Sequence, residues 1–281
     1  MRHDIIRVFP QRTSYTPNDD MAFVGLPSWE IPEHKEIHIS CTFSWDKAYC
    51  EELAYQWEGR TKKPVKLGGV AYGSPCENFE QGMYIKSNII FTSRGCNNNC
   101  PWCIVPKQEG KLKHLPIVQG NWIQDNNFLQ CDRSHKDKVF EMLKTQKAIC
   151  FKGGLESDLI DEHFCEGIRD LSIKELWLAC DTDARIPYLQ KACEKLSKVG
   201  FNRNKIHCYV LSYGKDREKD EARARTVYEA GAMPFVQLYR DFSDTKTEYS
   251  ADWDAWARMW QRPAATRAHM EKGTDYLDFR T

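Results

Sequence analysis

From residue 36 onward the apolar positions run first with period two, then with the spacing of a helix face, and this exchange repeats along the chain. Ile37, Ile39, Cys41 and Phe43 alternate with polar residues and predict a half-buried strand over 36–44. Asp46 stands where a helix N-cap is expected, ahead of a helix over 47–57 with Leu53, Ala54 and Trp57 on one face. Val65 to Gly69 predicts a second strand ending in glycines, so the segment reads as one β-α-β unit with a right-handed crossover. Six further strands are predicted near 87–94, 121–125, 147–153, 175–181, 205–212 and 233–239, with helices near 136–146, 158–171, 185–199 and 216–230. Gly200 is the expected stop of the third of these helices. Strand-then-helix repetition argues for a parallel sheet with helices outside, in an open barrel or a doubly wound sheet alike. Residues 1–34 are polar and turn-rich and read as an irregular arm. In the tail, Ser250 to Met270, Trp253, Trp256 and Trp260 form a stripe expected to pack on the barrel wall, and Pro263 ends the helix.

Composition narrows the class. Lys plus Arg number 40 and Asp plus Glu 40, so no whole-chain basic field recruits nucleic acid. Twelve cysteines in 281 residues are too dilute for a small disulfide scaffold. Ile5-Ile6 is too short for a signal peptide, and no stretch approaches the roughly 20 apolar residues of a membrane span. The consistent compartment is a reducing cytoplasm.

The chemistry concentrates in Phe91-Thr-Ser-Arg-Gly-Cys-Asn-Asn-Asn-Cys-Pro-Trp-Cys103, where Cys96, Cys100 and Cys103 offer three thiolates from one loop. Iron–sulfur cubes normally take four cysteines, so three leave one iron open, and an open position is where chemistry happens. A zinc site completed by His114 or Cys131 is the competing use of the same residues, but no second C-x2-C half is present. His34 and His38 enter a predicted strand, where that spacing spans roughly 13 Å, too far to share one ion. No G-x-S-x-G and no G-K-[ST] phosphate loop occurs.

This loop resembles the signature of the radical S-adenosylmethionine enzymes. With Val105 to Gly110 it is most similar to the branch of methylthiotransferases and cobalamin-associated enzymes. The resemblance implies a 4Fe–4S cluster on Cys96, Cys100 and Cys103, whose fourth iron chelates S-adenosylmethionine. Reductive cleavage, fed by a donor such as flavodoxin or ferredoxin, would yield a 5′-deoxyadenosyl radical that abstracts hydrogen from an unknown substrate, with a methylthio- or methyltransferase-like outcome. The implied fold is α/β: a partial (β/α)6 barrel over 85–245, preceded by a truncated Rossmann-like unit over 35–84 and followed by a Trp-rich helical tail over 246–281.

Strand-end positions supply the other candidates by the same resemblance. Asp125, Asn126 and Asn127 would accept from the methionine ammonium, or close the strand as an Asx turn. Glu156 and Ser157 follow the Gly153-Gly154 pair and carry polar groups to the rim, or Ser157 or Asp158 caps the next helix. Asp181 would meet the ribose hydroxyls or cap a helix, and Ser212 would approach the adenine or sit in a plain turn. Tyr239 and Arg240 share the same rim, Arg240 pairing with the methionine carboxylate, with substrate or in a surface salt bridge. Trp102 would shield the cluster or pack on adenine. Cys41, Cys50 and Cys76 lie where methylthiotransferases hold a second cluster. Cobalamin is not expected: the D-x-H-x-x-G stretch is absent, and one β-α-β unit is too small to cover a corrin face. The alternative is a non-enzymatic iron–sulfur or zinc-binding accessory protein.

Overall fold

The structure, a computed structural model, describes residues 4–73, 80–241, 243 and 245–275. In chain order its elements are β1 (Ile5–Phe9), β2 (Ala22–Val24), β3 (Glu36–Ser40), α1 (Lys47–Thr61), β4 (Val65–Gly68), β5 (Ile89–Ile90) and β6 (Ser93–Arg94). There follow α2 (Val105–Gln108), β7 (Lys113–His114), β8 (Trp122–Ile123), α3 (Arg133–Leu143), β9 (Ile149–Glu156), α4 (Glu162–Arg169) and β10 (Ile173–Ala179). The last are α5 (Ile186–Lys198), β11 (Ile206–Ser212), α6 (Arg217–Glu229), β12 (Met233–Leu238), α7 (Ala251–Gln261) and α8 (Pro263–Lys272). Two compact units form: Met1–Ile89 with Cys100–Glu109 and Asp241–Thr247, and Ile90–Asn99 with Gly110–Arg240 and Glu248–Thr281.

The first unit corrects the expected irregular arm. Its sheet has four parallel strands in the order β2-β1-β3-β4, so residues 1–34 supply two of them. All five residues of β1 are buried, since an interior strand of a parallel sheet is covered on both faces and shows no alternation. Helix α1 closes one face, burying Cys50, Leu53 and Trp57 with Ile6, Ile37 and Ile39. On the other face Arg7 is buried in an ion pair with Asp19 and donates to the Met83 carbonyl at 2.8 Å. Asp46 makes no side-chain cap: it lies at the end of a 3-10 turn that leads into α1.

In the second unit six strands lie in the order β12-β11-β10-β9-β8-β5, and the ladders from β8 to β12 are parallel. Six strands agree with the expected α/β sheet, but it stays open, and among the described residues no barrel closes. The predicted strand 87–94 is divided: β5 joins the sheet, while β6 turns aside to pair antiparallel with β7. Helices α3 to α6 start on carboxylate caps where one is available, Asp132 accepting from the His135 N–H at 2.8 Å and Asp161 from Phe164 at 2.7 Å. The tail shares this unit's core through the fully buried Trp256 and Trp260. Both indoles donate to one carboxylate on α6, Glu221, at 2.7 and 2.8 Å, and His269 of α8 meets its other oxygen at 2.6 Å. The tryptophan stripe is therefore packing, as the sequence implied. Pro263 ends α7 by beginning α8.

Candidate cofactor site

The cysteine loop leaves β6 on a scaffold set by one buried carboxylate. Asp125, just after β8, accepts from the Thr92 N–H through Oδ1 and from the Thr92 and Ser93 hydroxyls through Oδ2, each at 2.6 Å. Burial pushes this carboxyl above the usual range, against the downward pull of those hydrogen bonds. Asp125 is 2% exposed. It fastens the strand before the loop, which corrects the expectation that it receives an ammonium. Gly153 on β9 lies so near that a Cβ there would stand 1.7 Å from the Asp125 carbonyl oxygen. Asn126 continues the brace, its Oδ1 accepting from the Gly95 N–H at 2.9 Å. Gly95 has φ +84, and a Cβ there would meet the Lys111 carbonyl oxygen at 2.3 Å.

Around Cys96 the side chains converge. The Asn98 N–H donates to its Sγ at 3.4 Å, the Asn127 Nδ2 at 3.8 Å, and the thiol faces Gln130 Oε1 at 3.7 Å. N–H donors aimed at a sulfur are the contacts that orient a cysteine ligand and tune the metal it holds. Asn127 and Gln130 also both donate to Glu156 Oε2, at 2.8 and 3.1 Å, while the Asn97 N–H donates to Gln130 Oε1 at 2.8 Å. Glu156 reaches this point because β9 carries extra residues opposite the Leu176–Leu178 step of β10, a bulge centred on Gly153-Gly154. Asn127 is buried, yet its Oδ1 accepts nothing. Gln130 escaped the sequence reading. Its signal is the spacing: a 3-10 turn over Phe128–Gln130 eclipses positions three apart and sets both carboxamides on one side.

The other predicted residues divide. Ser157 is buried, its hydroxyl 3.4 Å from the Ala179 carbonyl. Ser212 is fully buried and donates to Asp220 at 2.5 Å, which corrects its expected approach to adenine: the strand's alternation turns it toward the helices. Asp181 is half-buried beyond β10. Tyr239 lies beside Tyr213, ring centroids 5.0 Å apart, and the Arg240 guanidinium covers the Tyr249 ring at 5.6 Å. Cys100, Cys103 and the half-buried Trp102 belong to the first unit, where the Cys103 N–H donates to the Cys100 carbonyl at 3.0 Å. All three loop cysteines are half-buried and reduced. Among the described residues no three His, Cys, Asp or Glu side chains are gathered to hold a metal ion.

Neither partner proposed for zinc joins them. His114 stacks on His135 at 4.0 Å, with Asp132 3.7 Å from its Nδ1, and burial pushes the Cys131 thiol to about 11. Cys41 and Cys50 are fully buried; Cys76 lies outside the described residues. A hydrogen bond from Cys50 pulls the Cys41 thiol down and pushes its own up.

Parallel α/β sheets with a polar cluster beyond the C-terminal strand ends make an α/β fold of the kind that gathers ligand groups at strand ends. It is similar to a radical S-adenosylmethionine methyltransferase, TsrM, from Kitasatospora setae, whose structure holds cobalamin and a [4Fe-4S] cluster. The TM-score is 0.60 and identity 9%, over 87% of this chain and 77% of that one, a likeness of fold. No family model and no curated protein matches the chain. Among the described residues no helix is long and apolar enough to cross a membrane.

Proposed function

We propose that this protein is a radical S-adenosylmethionine enzyme, binding a 4Fe–4S cluster through Cys96, Cys100 and Cys103. The observation that carries this reading is the polar nest at Cys96. The donor set suits the group in kind: three reduced thiols in one loop, one of them already facing two N–H donors. The orphaned, buried Asn127 Oδ1 beside the Glu156 carboxylate is an acceptor pair that an ammonium such as that of S-adenosylmethionine would complete. When bound, the cluster would supply the electron that cleaves S-adenosylmethionine. The chain's own part is to hold the Cys96 arm, to accept from the ammonium through Asn127 and Glu156, and to keep water from those groups by burial.

The fold of the first unit bears on cobalamin. Its sheet has four parallel strands instead of the expected two, so its size does not count against a corrin. The D-x-H-x-x-G stretch remains absent, so any corrin would bind without that histidine.

Anaerobic reconstitution with iron and sulfide should yield about four irons per chain. A value near eight would instead bring Cys41, Cys50 and Cys76 into play. With dithionite, the loaded protein should convert S-adenosylmethionine to 5′-deoxyadenosine, and added cobalamin should be scored by its visible spectrum. Zinc uptake without a visible chromophore, or a loaded protein that leaves S-adenosylmethionine intact, would overturn the reading in favour of an accessory role.

A further inference from the structure

Resting on that reading, we propose that Gln130 is a positioning residue: braced by Glu156, it holds the Cys96–Asn97 end of the cysteine loop in place before iron arrives. Its carboxamide has one workable orientation. Oε1 accepts from the Asn97 N–H at 2.8 Å, and Nε2 donates to Glu156 Oε2 at 3.1 Å. Reversed, the amide would set N–H against N–H and oxygen against carboxylate, two unsatisfied contacts at once. The oxygen that grips Asn97 is thereby also the atom facing the Cys96 thiol, at 3.7 Å.

Glu156 is a firm brace. Its Oε2 takes a second carboxamide, Asn127 Nδ2, at 2.8 Å, and Arg185 stands 3.6 Å from Oε1. The chain of contacts therefore runs from the end of β9, through Gln130, to a backbone amide next to a ligand. On the opposite side Asn126 holds the Gly95 N–H and Asp125 holds Thr92 and Ser93. Cys96 thus enters cluster assembly with its backbone secured from both sides, and ordering it costs less of the binding free energy.

The test separates this brace from the function on which it rests. In the metal-free protein, Gln130→Leu should speed hydrogen exchange at the Asn97 amide by about fivefold or more, the equivalent of one ordinary hydrogen bond. In the reconstituted protein the same variant should lose iron faster to a chelator. Gln130→Glu should do worse still, because it sets a carboxylate against Glu156. The exchanged pair, Gln130→Glu with Glu156→Gln, keeps an acceptor for the Asn97 N–H and restores a donor–acceptor contact between positions 130 and 156. With the Asn127 carboxamide turning its oxygen to the new amide, it should recover the slow Asn97 exchange. Unchanged Asn97 exchange in Gln130→Leu, or an exchanged pair no better than Gln130→Glu alone, would overturn the proposal. If the wild-type chain takes up no cluster, the functional reading falls, while the Asn97 exchange still decides the brace.

Discussion

Replacing Asp125 by Ala and by Asn probes how the cysteine loop is anchored, because the two variants remove different things. Alanine deletes an acceptor that serves the Thr92 N–H and two hydroxyls, all at 2.6 Å, where Thr92 and Ser93 are fully buried. An orphaned buried N–H costs about 1–3 kcal/mol and each lost hydroxyl partner about 1 kcal/mol, so Asp125→Ala should cost about 4 kcal/mol. At roughly 2–4 °C per kcal/mol for a unit of this size, the melting point falls by about 10 °C. Asparagine keeps the shape: its oxygen still accepts from Thr92, and the hydroxyls rotate to accept from its amide. Asp125→Asn should therefore lie within about 1 kcal/mol of wild type at neutral pH.

The pH dependence carries a definite sign. A carboxyl whose folded pKa is raised contributes stability that is present below the unfolded value, near 4, and lost as pH rises through the raised folded value. Asparagine has no such loss, so the Asp125→Asn variant should gain on wild type as pH rises through that window. Urea unfolding across pH, followed by tryptophan fluorescence, reads both effects, and iron retention should fall in the alanine variant alone. An alanine variant within about 1 kcal/mol of wild type, or an asparagine variant that loses ground as pH rises, would refute the reasoning.

Two further outcomes follow from the same geometry. Gly153→Ala forces a methyl onto the Asp125 carbonyl oxygen, a backbone atom with no rotamer to yield, and should cost about 3 kcal/mol or more in thermal unfolding. Burial alone would raise the Glu221 carboxyl, but hydrogen bonds from His269, Trp256 and Trp260 outweigh it and hold the group below its usual range. Its stabilisation is therefore present above about pH 4 and lost as pH falls through the lowered native value. Glu221→Gln should be less stable by about 2 kcal/mol at pH 7, with the gap narrowing in acid; a gap independent of pH would count against this account.

Much of this protein was legible in its residues. The alternation from β3 to β12 and the cysteine spacing both arise from local rules, side-chain periodicity and ligand number, which need no knowledge of distant contacts. Asn127 and Glu156 are candidates by their strand-end positions, and the fold brings the two side chains together. The tertiary structure alone decided the rest. Strand β1 hid because an interior strand buried on both faces has no alternation, and Ile5 to Phe9 is too short a run to read as one. Asp125 had the right chemistry for a ligand, but which way its lone pairs point depends on a strand more than thirty residues earlier. Gln130 became meaningful only when the bulge in β9 delivered Glu156 to it. Periodicity is written along the chain, whereas satisfaction of a buried polar group is settled between segments that meet only in the folded protein.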